Sequence, residues 1–342
     1  MKSTILTSLA ALIIAPLAEA QCIGDIAIDA RVDGGDLGVL LANWGPVTST
    51  SLSRACDLDG NAIVNGADLG ILLSNWGACP APTWGIIIES QPNPALVTDP
   101  ILRAAIQATG LPWRVRDRGT GIEMLLIPPG TFQMGCSASF VWPCEESELP
   151  VHQVTITQAF YLGRFEVTQH QWQGVAGNNP SYFQGYADSS QRAVEQVSWN
   201  DCQWFSAQTG MRLPSEAEWE YACRAGTASA FYNGSDDDLS LVNLAWIDSN
   251  AAGQIRAVGG KLPNALGLHD MLGNAWEWVS DWYGAYSSEA QVDPVGPSTS
   301  IYLVCRGHSC ERSYNDVRSS SRDWGAQDLK HSWTGFRVAR NP

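Results

Sequence analysis

The sequence is poor in charge, and above all in basic residues. Charged residues make up 16% of the chain, and 20 lysines and arginines stand against 35 aspartates and glutamates, for a net charge of −15. A protein that neutralises nucleic-acid phosphates needs clustered positive charge, so this balance excludes nucleic acid as a partner. Hydrophobic residues make up 45%, which excludes a chain that is disordered by composition.

Long apolar segments are also lacking. Residues 5–17 form an apolar run that is too short to span a bilayer as a helix, and no later stretch is longer. Lys2 before this run and Ala18-Glu19-Ala20 after it are typical of a secretory signal peptide. Gln21 precedes Cys22, where a lipoprotein signal has a small residue. We therefore predict a signal peptide over residues 1–20, a secreted protein in an extracellular or periplasmic location, and no membrane span.

Common catalytic spacings are missing as well. The five histidines show no H-x-x-x-H or related zinc spacing, and neither a Ser-His-Asp order nor a phosphate loop is present. Nine cysteines, all beyond residue 20, suit a compartment in which disulfides persist. Because nine is odd, at least one thiol lies outside the intrachain disulfides. Cys136 and Cys144 bracket a turn-rich segment and are predicted to form a local disulfide.

An internal repeat lies near the start of the chain. The segment GDLGVLLANWG at residues 35–45 returns as ADLGILLSNWG at residues 67–77. Before the second copy, oxygen-bearing side chains fall at positions 1, 3, 5, 9 and 12 of a loop, with a backbone carbonyl at position 7, which is the calcium-loop spacing of an EF-hand. The predicted calcium-loop residues are Asp57, Asp59, Asn61, Ile63 (carbonyl), Asn65 and Asp68.

The loop before the first copy is less complete. Asp25, Asp29, Asp33 and Asp36 fall at positions 1, 5, 9 and 12, but Ala27 stands at position 3. One oxygen ligand is missing, so calcium binding at this loop is expected to be weaker or absent. For both loops, an acidic loop without metal is the alternative.

Paired loop–helix repeats of this kind resemble a dockerin module, which we assign to residues 22–79. The resemblance implies a small all-α fold, structural calcium, and an anchoring partner that is cohesin-like or lies on the cell surface. The N-terminal position and the spacer at residues 46–55 depart from the family pattern. Packing of the module against the rest of the chain is therefore an alternative.

The segment that follows changes in composition. Residues 80–98 are Pro-rich and are predicted to be a linker. A helix is expected to begin after Asp99, with Pro100 at its first position, and to end near Thr109 before a glycine. We place the start of a large second domain, residues 99–342, at this helix.

Short strands between turn residues dominate the second domain. Strands are predicted at residues 123–127, 151–157, 160–167, 302–306 and 336–340. Helices are expected to be few, and the clearest begins at Ser215, where Ser215 and Glu218 form a capping box. The fold class is therefore α+β with much irregular structure.

Six motifs in this domain occur in a recognisable order. They are PPGTFQMG at 128–135, EVT at 166–168, RLPSEAEWEYA at 212–222, GLHDMLGNAWEW at 267–278, RGHS at 306–309 and GFRV at 335–338. Together they resemble the formylglycine-generating enzyme, or sulfatase-modifying factor, family. The resemblance implies an irregular α+β fold related to C-type lectin-like folds.

The resemblance also implies structural calcium. Family members bind calcium through backbone carbonyls and one Glu of the fourth motif, and through an Asn and a carbonyl earlier in the chain. The matching residues here are Leu272, Gly273, Ala275 and Glu277 for one site, and Asn243 and Leu244 for the other. The alternative for Glu277 is a buried hydrogen-bonding partner.

Copper is implied only if the family's oxidase activity is retained. Active members hold Cu(I) with two cysteines, five positions apart, that follow the R-G-G-S segment. The matching positions here are Arg312 and Val317, which cannot supply soft thiolate ligands. Cys305 and Cys310 are also five apart but straddle the motif, and in a strand they face opposite sides. We expect a structural role for both, for example a disulfide from Cys223 to one of them, and assign no catalytic residue.

Two functions are consistent with these patterns. Residues 308–333 replace the family's active-site region with aromatic, Arg, Ser and Asp residues, which are typical of recognition surfaces. We therefore predict a module that binds a protein or glycan ligand and is tethered by the dockerin-like segment. The alternative is a secreted oxidase that converts a sulfatase cysteine to formylglycine.

Overall fold

The computed structural model describes residues 26, 31–32, 34–48, 53, 56–74, 76–78, 84–136, 144–236, 240–313 and 316–342. The signal peptide and the first-loop residues Asp25, Asp29 and Asp33 lie outside these residues. In the described part of the chain, no helix is long and apolar enough to cross a bilayer.

The repeat forms two equivalent helices. These are α1 (Gly34–Ala42) and α2 (Gly66–Ser74). Leu40 and Leu72, at the same position of each copy, are fully buried in one small core. Asp36 and Asp68, another equivalent pair, are fully buried as well. The sequence repeat is therefore a structural repeat, in which each copy buries the same apolar face.

The module departs from the expected all-α fold. Two short antiparallel ladders join its parts, β1 (Arg31–Val32) with β4 (Gly77–Ala78) and β2 (Gly45–Pro46) with β3 (Ile63–Val64). The loops preceding and following the helices pair with each other because their backbone groups need partners that the short helices do not supply.

The predicted linker over residues 80–98 is wrong for most of its length. Gly85–Glu89 form strand β5, which pairs with β6 (Arg114–Asp117) at the edge of a sheet, and Val97 is fully buried in the main core. The run GIIIE has the β-branched composition of a strand, and this outweighs the flanking prolines. The large domain therefore begins before Asp99.

The described residues of the large domain form three sheets. Besides β5 and β6, their strands are β7 (Glu123–Ile127), β8 (Gly130–Met134), β9 (His152–Ile156), β10 (Phe160–Gly163), β11 (Trp276–Trp282), β12 (Gln291–Val292), β13 (Leu303–Arg306), β14 (Arg322–Gly325), β15 (Thr334–Phe336) and β16 (Ala339–Arg340). The strand orders are β16-β10-β7-β6-β5, β14-β13-β11-β15 and β12-β9-β8. The last predicted strand thus splits into two strands that join different sheets.

Helices cover the sheets, and several carry their own caps. They are α3 (Pro100–Ala108), α4 (Gln169–Ala176), α5 (Trp199–Thr209), α6 (Glu216–Arg224), α7 (Leu241–Leu244) and α8 (Asp248–Ala251), with 3₁₀ turns at Glu146–Glu148 and Ser189–Gln191. Asp99 caps α3, and Ser215 with Glu218 caps α6, which confirms both predictions. The N-terminus of α6 is therefore fixed in position, and it borders a cavity considered below.

Candidate functional sites

The predicted calcium ligand Glu277 lies in a buried ion pair. Its two carboxylate oxygens accept hydrogen bonds from Arg337 at 2.6 Å, and Trp219 Nε1 donates to Oε2 at 2.7 Å. Glu277 and Arg337 have no solvent exposure. This geometry corresponds to the alternative in which Glu277 is a buried hydrogen-bonding partner. A second cation next to the Arg337 guanidinium is electrostatically unfavourable, so these side chains do not fit a calcium ion at this carboxylate.

Backbone N–H groups of the segment before Glu277 are also hydrogen-bonded within the protein. Gly273 N donates to the carbonyl of Gly307 at 2.7 Å, and Ala275 N donates to Glu166 Oε1 at 3.1 Å. Leu272 is fully buried in the main core. The structure therefore uses this segment to join strands and motifs, and calcium at Leu272, Gly273 and Ala275 stays a prediction.

Two residues that the sequence analysis left without a role complete a buried acidic cluster with Glu277. They are Glu166 and Asp270, both almost fully buried. Burial raises the pKa of Glu166 well above its usual range, and the charges of Asp270 and Glu277 add to this effect. Burial likewise raises the pKa of Asp270 to about 6. Both residues lie inside the recognised motifs, and this was the sequence feature that could have identified them. Their contacts join segments far apart in the chain, so the cluster itself was not predictable from the motifs.

At the other predicted family calcium site, the backbone carbonyls already accept hydrogen bonds from protein groups. The carbonyl of Leu244 accepts from the Tyr232 hydroxyl at 2.8 Å, and the carbonyl of Asn243 accepts from Leu262 N at 3.0 Å. Lys261 Nζ lies 2.5 Å from the neighbouring carbonyl of Val242. An ammonium group thus already lies at this loop and would repel a cation, so the residues present do not fit a calcium ion.

The second repeat loop brings its carboxylates together. One oxygen each from Asp57, Asp59 and Asp68 lies within 4.8 Å of the other two. Asp68 is fully buried, and its oxygens accept from the backbone N–H groups of Leu58, Asp59 and Asn65. Burial raises the pKa of Asp57, and the charges of Asp68 and Asp59 raise it further. Among the described residues, none of these three carboxylates has an ion-pair partner.

Asn61 and Ile63 lie in the same loop but turn toward other partners. Asn61 Nδ2 donates to Asp59 Oδ2 at 2.8 Å, and Asn61 Oδ1 accepts from Ile63 N at 2.8 Å. The Ile63 carbonyl accepts from Asn65 Nδ2 at 3.0 Å. The structure therefore gathers the carboxylates of the predicted set, while its amide and carbonyl oxygens bond within the loop. Of the predicted ligands in the first loop, the structure describes Asp36 alone, and it is buried.

In the part of the chain that the structure describes, the cysteines near the RGHS motif form no disulfide. Cys136 and Cys144 form the predicted disulfide. Cys223, Cys305 and Cys310 are free, so a disulfide from Cys223 to either of the others is wrong. Cys305 packs in the main core, whereas Cys310 packs in a separate small cluster with Phe183 and Ala251, and Cys223 Sγ lies against the Met271 carbonyl.

A small pocket lies under the segment that follows the RGHS motif. It has a volume of about 150 Å³, and its lining includes Trp276, Trp278, Trp324, Arg312, Asp323, His331 and Cys305. Trp324 is 45% exposed, and its ring lies 3.9 Å from that of Tyr302. The pocket thus combines an aromatic surface with charged groups of both signs. We call it the Trp324 pocket.

The comparisons with known proteins agree with this architecture. A family model described as "Sulfatase-modifying factor enzyme 1-like domain" matches residues 113–342. The chain belongs to this family. Its domain is similar to the formylglycine-generating enzyme of Thermomonospora curvata, at 28% identity over 285 residues, covering 64% of this chain and 93% of that enzyme.

Other relatives of this sulfatase-modifying-factor domain have different names. A serine/threonine-protein kinase pkn1 of Chlamydia pneumoniae is 30% identical over 249 residues, which cover 64% of this chain and 38% of the kinase. Among solved structures, Treponema denticola variable protein 1 superposes with a TM-score of 0.59 at 27% identity, covering 65% of this chain and 95% of that one. The family thus includes proteins named for unrelated activities, and membership alone does not select one.

Proposed function

We propose that this protein is a ligand-binding member of the sulfatase-modifying-factor family, and that the Trp324 pocket holds part of a protein or glycan ligand. The observation that supports this most directly is the half-exposed Trp324 ring, held against Tyr302 beside charged side chains. Rigid aromatic side chains next to Arg are typical hot spots of recognition surfaces, because they bury area at a small entropic cost.

The pocket has the polar groups that orient a ligand. Arg312 and Asp323 both line it, and His331 adds a ring whose Nδ1 accepts from Trp333 N at 3.3 Å, which leaves Nε2 of the neutral ring as a donor. Its volume of about 150 Å³ suits one side chain or one sugar ring rather than a whole ligand. We therefore expect the rest of a larger ligand to contact the surrounding surface.

The same geometry argues against the family's copper chemistry. At the two positions where active members have cysteines, Arg312 lines the pocket and Val317 is fully buried. The remaining candidate pair, Cys305 and Cys310, lies in two different packing clusters. These residues do not fit a two-thiolate Cu(I) site, so we derive no oxidation step from them.

The oxidase function is the second candidate, and the similarity to formylglycine-generating enzymes favours it. The test is to incubate the purified protein with Cu(I), oxygen and a peptide that contains the sulfatase sequence C-x-P-x-R, and to measure the peptide mass. We expect no mass change at the cysteine. Turnover that is lost in Cys310→Ser would establish the oxidase function instead.

Binding is tested in parallel with arrays of immobilised glycans and immobilised peptides. For any spot that the wild-type protein binds, Trp324→Ala is expected to weaken binding about 30-fold, because a hot-spot residue contributes about 2 kcal/mol or more. Trp204→Ala is the matched control, since Trp204 is equally exposed, at 44%, but does not line the pocket. Equal losses for the two variants would contradict a role for the Trp324 pocket.

We further propose that the repeat module binds calcium at Asp57, Asp59 and Asp68 and anchors the exported protein to a cohesin-like or cell-surface partner. Three converging carboxylates without a compensating cation favour a hard divalent ion with oxygen ligands. The loop spacing supports calcium, and the apolar run after Lys2 supports export. A signal sequence is tested by expressing the full chain and sequencing the N-terminus of the exported product.

A further inference from the structure

A second cavity lies at the N-terminus of α6, away from the Trp324 pocket. Its volume is about 360 Å³, and its lining includes Asp281, Glu216, Arg322, His152 and Tyr286. The two sites share no lining residue. We call this second site the Asp281 cavity. A volume of this size is typical of sites for small molecules.

The positive charge in the cavity is already neutralised. Arg322 donates to both carboxylate oxygens of Glu216, at 2.8 and 2.7 Å, and to the carbonyls of Ser147 and Gly284. Its guanidinium thus makes four hydrogen bonds within the protein. The Tyr286 hydroxyl donates to Glu216 as well, at 3.1 Å. Because the charges of Glu216 and Arg322 neutralise each other, this pair does not favour either a cationic or an anionic ligand.

Asp281 has no such compensation. Its side chain is 3% exposed, and its Oδ2 accepts from Glu216 N at 2.8 Å and from the Ser280 hydroxyl at 2.9 Å. Both donors are neutral, and no described residue donates to Oδ1. Burial raises the pKa of Asp281 to about 7, with the charge of Glu216 as a further cause. A buried carboxylate with one open oxygen favours a cationic partner.

A further polar group on the wall, His152, also accepts. His152 is buried, and its Nδ1 lies 3.1 Å from the Pro150 carbonyl. A carbonyl only accepts, so Nδ1 carries the hydrogen, and Nε2 of the neutral ring is left as an acceptor. The wall beyond these groups is mainly apolar, with Met134, Ala217, Val295 and Pro297.

From this arrangement we infer that the Asp281 cavity is a binding site for a primary ammonium group on an apolar stem, whose nitrogen donates to Asp281 Oδ1. An ammonium carries three donors and one positive charge, which match the open acceptors and the uncompensated carboxylate. The apolar walls accommodate the stem. An anionic ligand is disfavoured, because Asp281 repels it and Arg322 has no free charge to offer. This site is independent of the ligand that we propose for the Trp324 pocket.

Calorimetric titration of the full-length protein tests this site, at slightly alkaline pH where Asp281 is ionised. The probes are n-butylamine, 1,4-diaminobutane and Nα-acetyl-lysine methylamide, with n-butanol and butyrate as neutral and anionic counterparts. We expect binding of an amine and none of the alcohol or the acid. Binding of the lysine derivative would indicate a lysine side chain as the natural ligand, whereas binding of the free amines alone would indicate a small amine. Equal binding of amine and alcohol, or no binding of any amine at millimolar concentration, would overturn the inference.

Two variants locate the site. Asp281→Asn is expected to weaken amine binding about tenfold or more, because the ammonium loses its attraction to a carboxylate and keeps only a hydrogen bond to a neutral amide oxygen. Asp293→Asn is the control, since Asp293 is a nearby carboxylate whose oxygens already accept from Thr157. Ala285→Phe, at the exposed rim of the cavity, leaves the carboxylate in place and should block entry. Unchanged affinity in both Asp281→Asn and Ala285→Phe would place the amine elsewhere.

Discussion

Arg337 donates to both carboxylate oxygens of Glu277, through Nε and Nη2, each at 2.6 Å. Glu277 lies in β11, Arg337 directly follows β15, the strand that pairs with β11, and both residues are fully buried. Burial raises the pKa of both Glu166 and Asp270, and the charge of Glu277 raises the pKa of each further. The guanidinium is thus the positive charge that makes this buried acidic cluster tolerable.

The first prediction concerns this guanidinium. Arg337→Leu leaves Glu277 buried without its partner, and the free energy of unfolding should fall by about 3–5 kcal/mol. Arg116→Leu is the control, because Arg116 pairs with Glu123 but is 49% exposed, and its loss should cost less than about 1 kcal/mol. Urea unfolding curves at neutral pH measure both. Similar losses in the two variants would contradict the central role of Arg337.

Local signals in the sequence were sufficient for several elements of the fold. Two helix starts are specified by residues at most three positions apart, Asp99 with Pro100 and Ser215 with Glu218. A short stretch of sequence is therefore enough to predict each of these starts. The same signal was present and overlooked at Thr168 with Gln171, which caps α4. More helices were therefore predictable than the few that were predicted.

The candidate sites depend on contacts that no local pattern contains. Glu277 and Arg337 are 60 residues apart, and the neutralisation of Glu216 by Arg322 spans 106. Whether a carboxylate binds an ion or an arginine depends on which distant strand packs beside it. For this reason the spacing of the repeat loop correctly grouped Asp57, Asp59 and Asp68, while the role of Glu277 required the fold.

The second prediction concerns calcium at the repeat module. Calcium that binds only the folded loop stabilises it by mass action, so the unfolding temperature of the module should rise with calcium concentration. Asp59→Asn should abolish most of this increase, because it removes one of three converging carboxylates. Asp248→Asn, an exposed carboxylate outside the loop, should leave it unchanged. Circular dichroism of the full chain with and without a chelator measures the effect, and a rise that persists in Asp59→Asn would contradict the assignment.

The third prediction concerns pH. Burial raises the pKa of Asp281 to about 7, whereas an unfolded Asp titrates near 3.9. The folded state therefore holds this proton more tightly, so the stabilisation is complete below about pH 4 and is lost as pH rises through about 7, by up to about 4 kcal/mol. Asp281→Asn does not titrate. The unfolding temperature of the variant minus that of the wild type should become more positive from pH 4 to pH 8, and a constant difference would contradict this.

The fourth prediction uses two glycines with opposite surroundings. Gly273 has a φ of +73°, and a Cβ there would lie 2.2 Å from the backbone carbonyl oxygen of Trp246, which cannot move without breaking its bond to Asn274 N. Gly273→Ala should therefore cost about 3 kcal/mol, from overpacking and backbone strain together. Gly174 lies inside α4, where an added Cβ would meet no other atom within 4 Å, so Gly174→Ala should stabilise by up to about 1 kcal/mol. Thermal unfolding of both variants gives the two signs. A small effect of Gly273→Ala would mean that the segment joining Trp246 to the buried acidic cluster can shift, and the close packing inferred for that cluster would then be wrong.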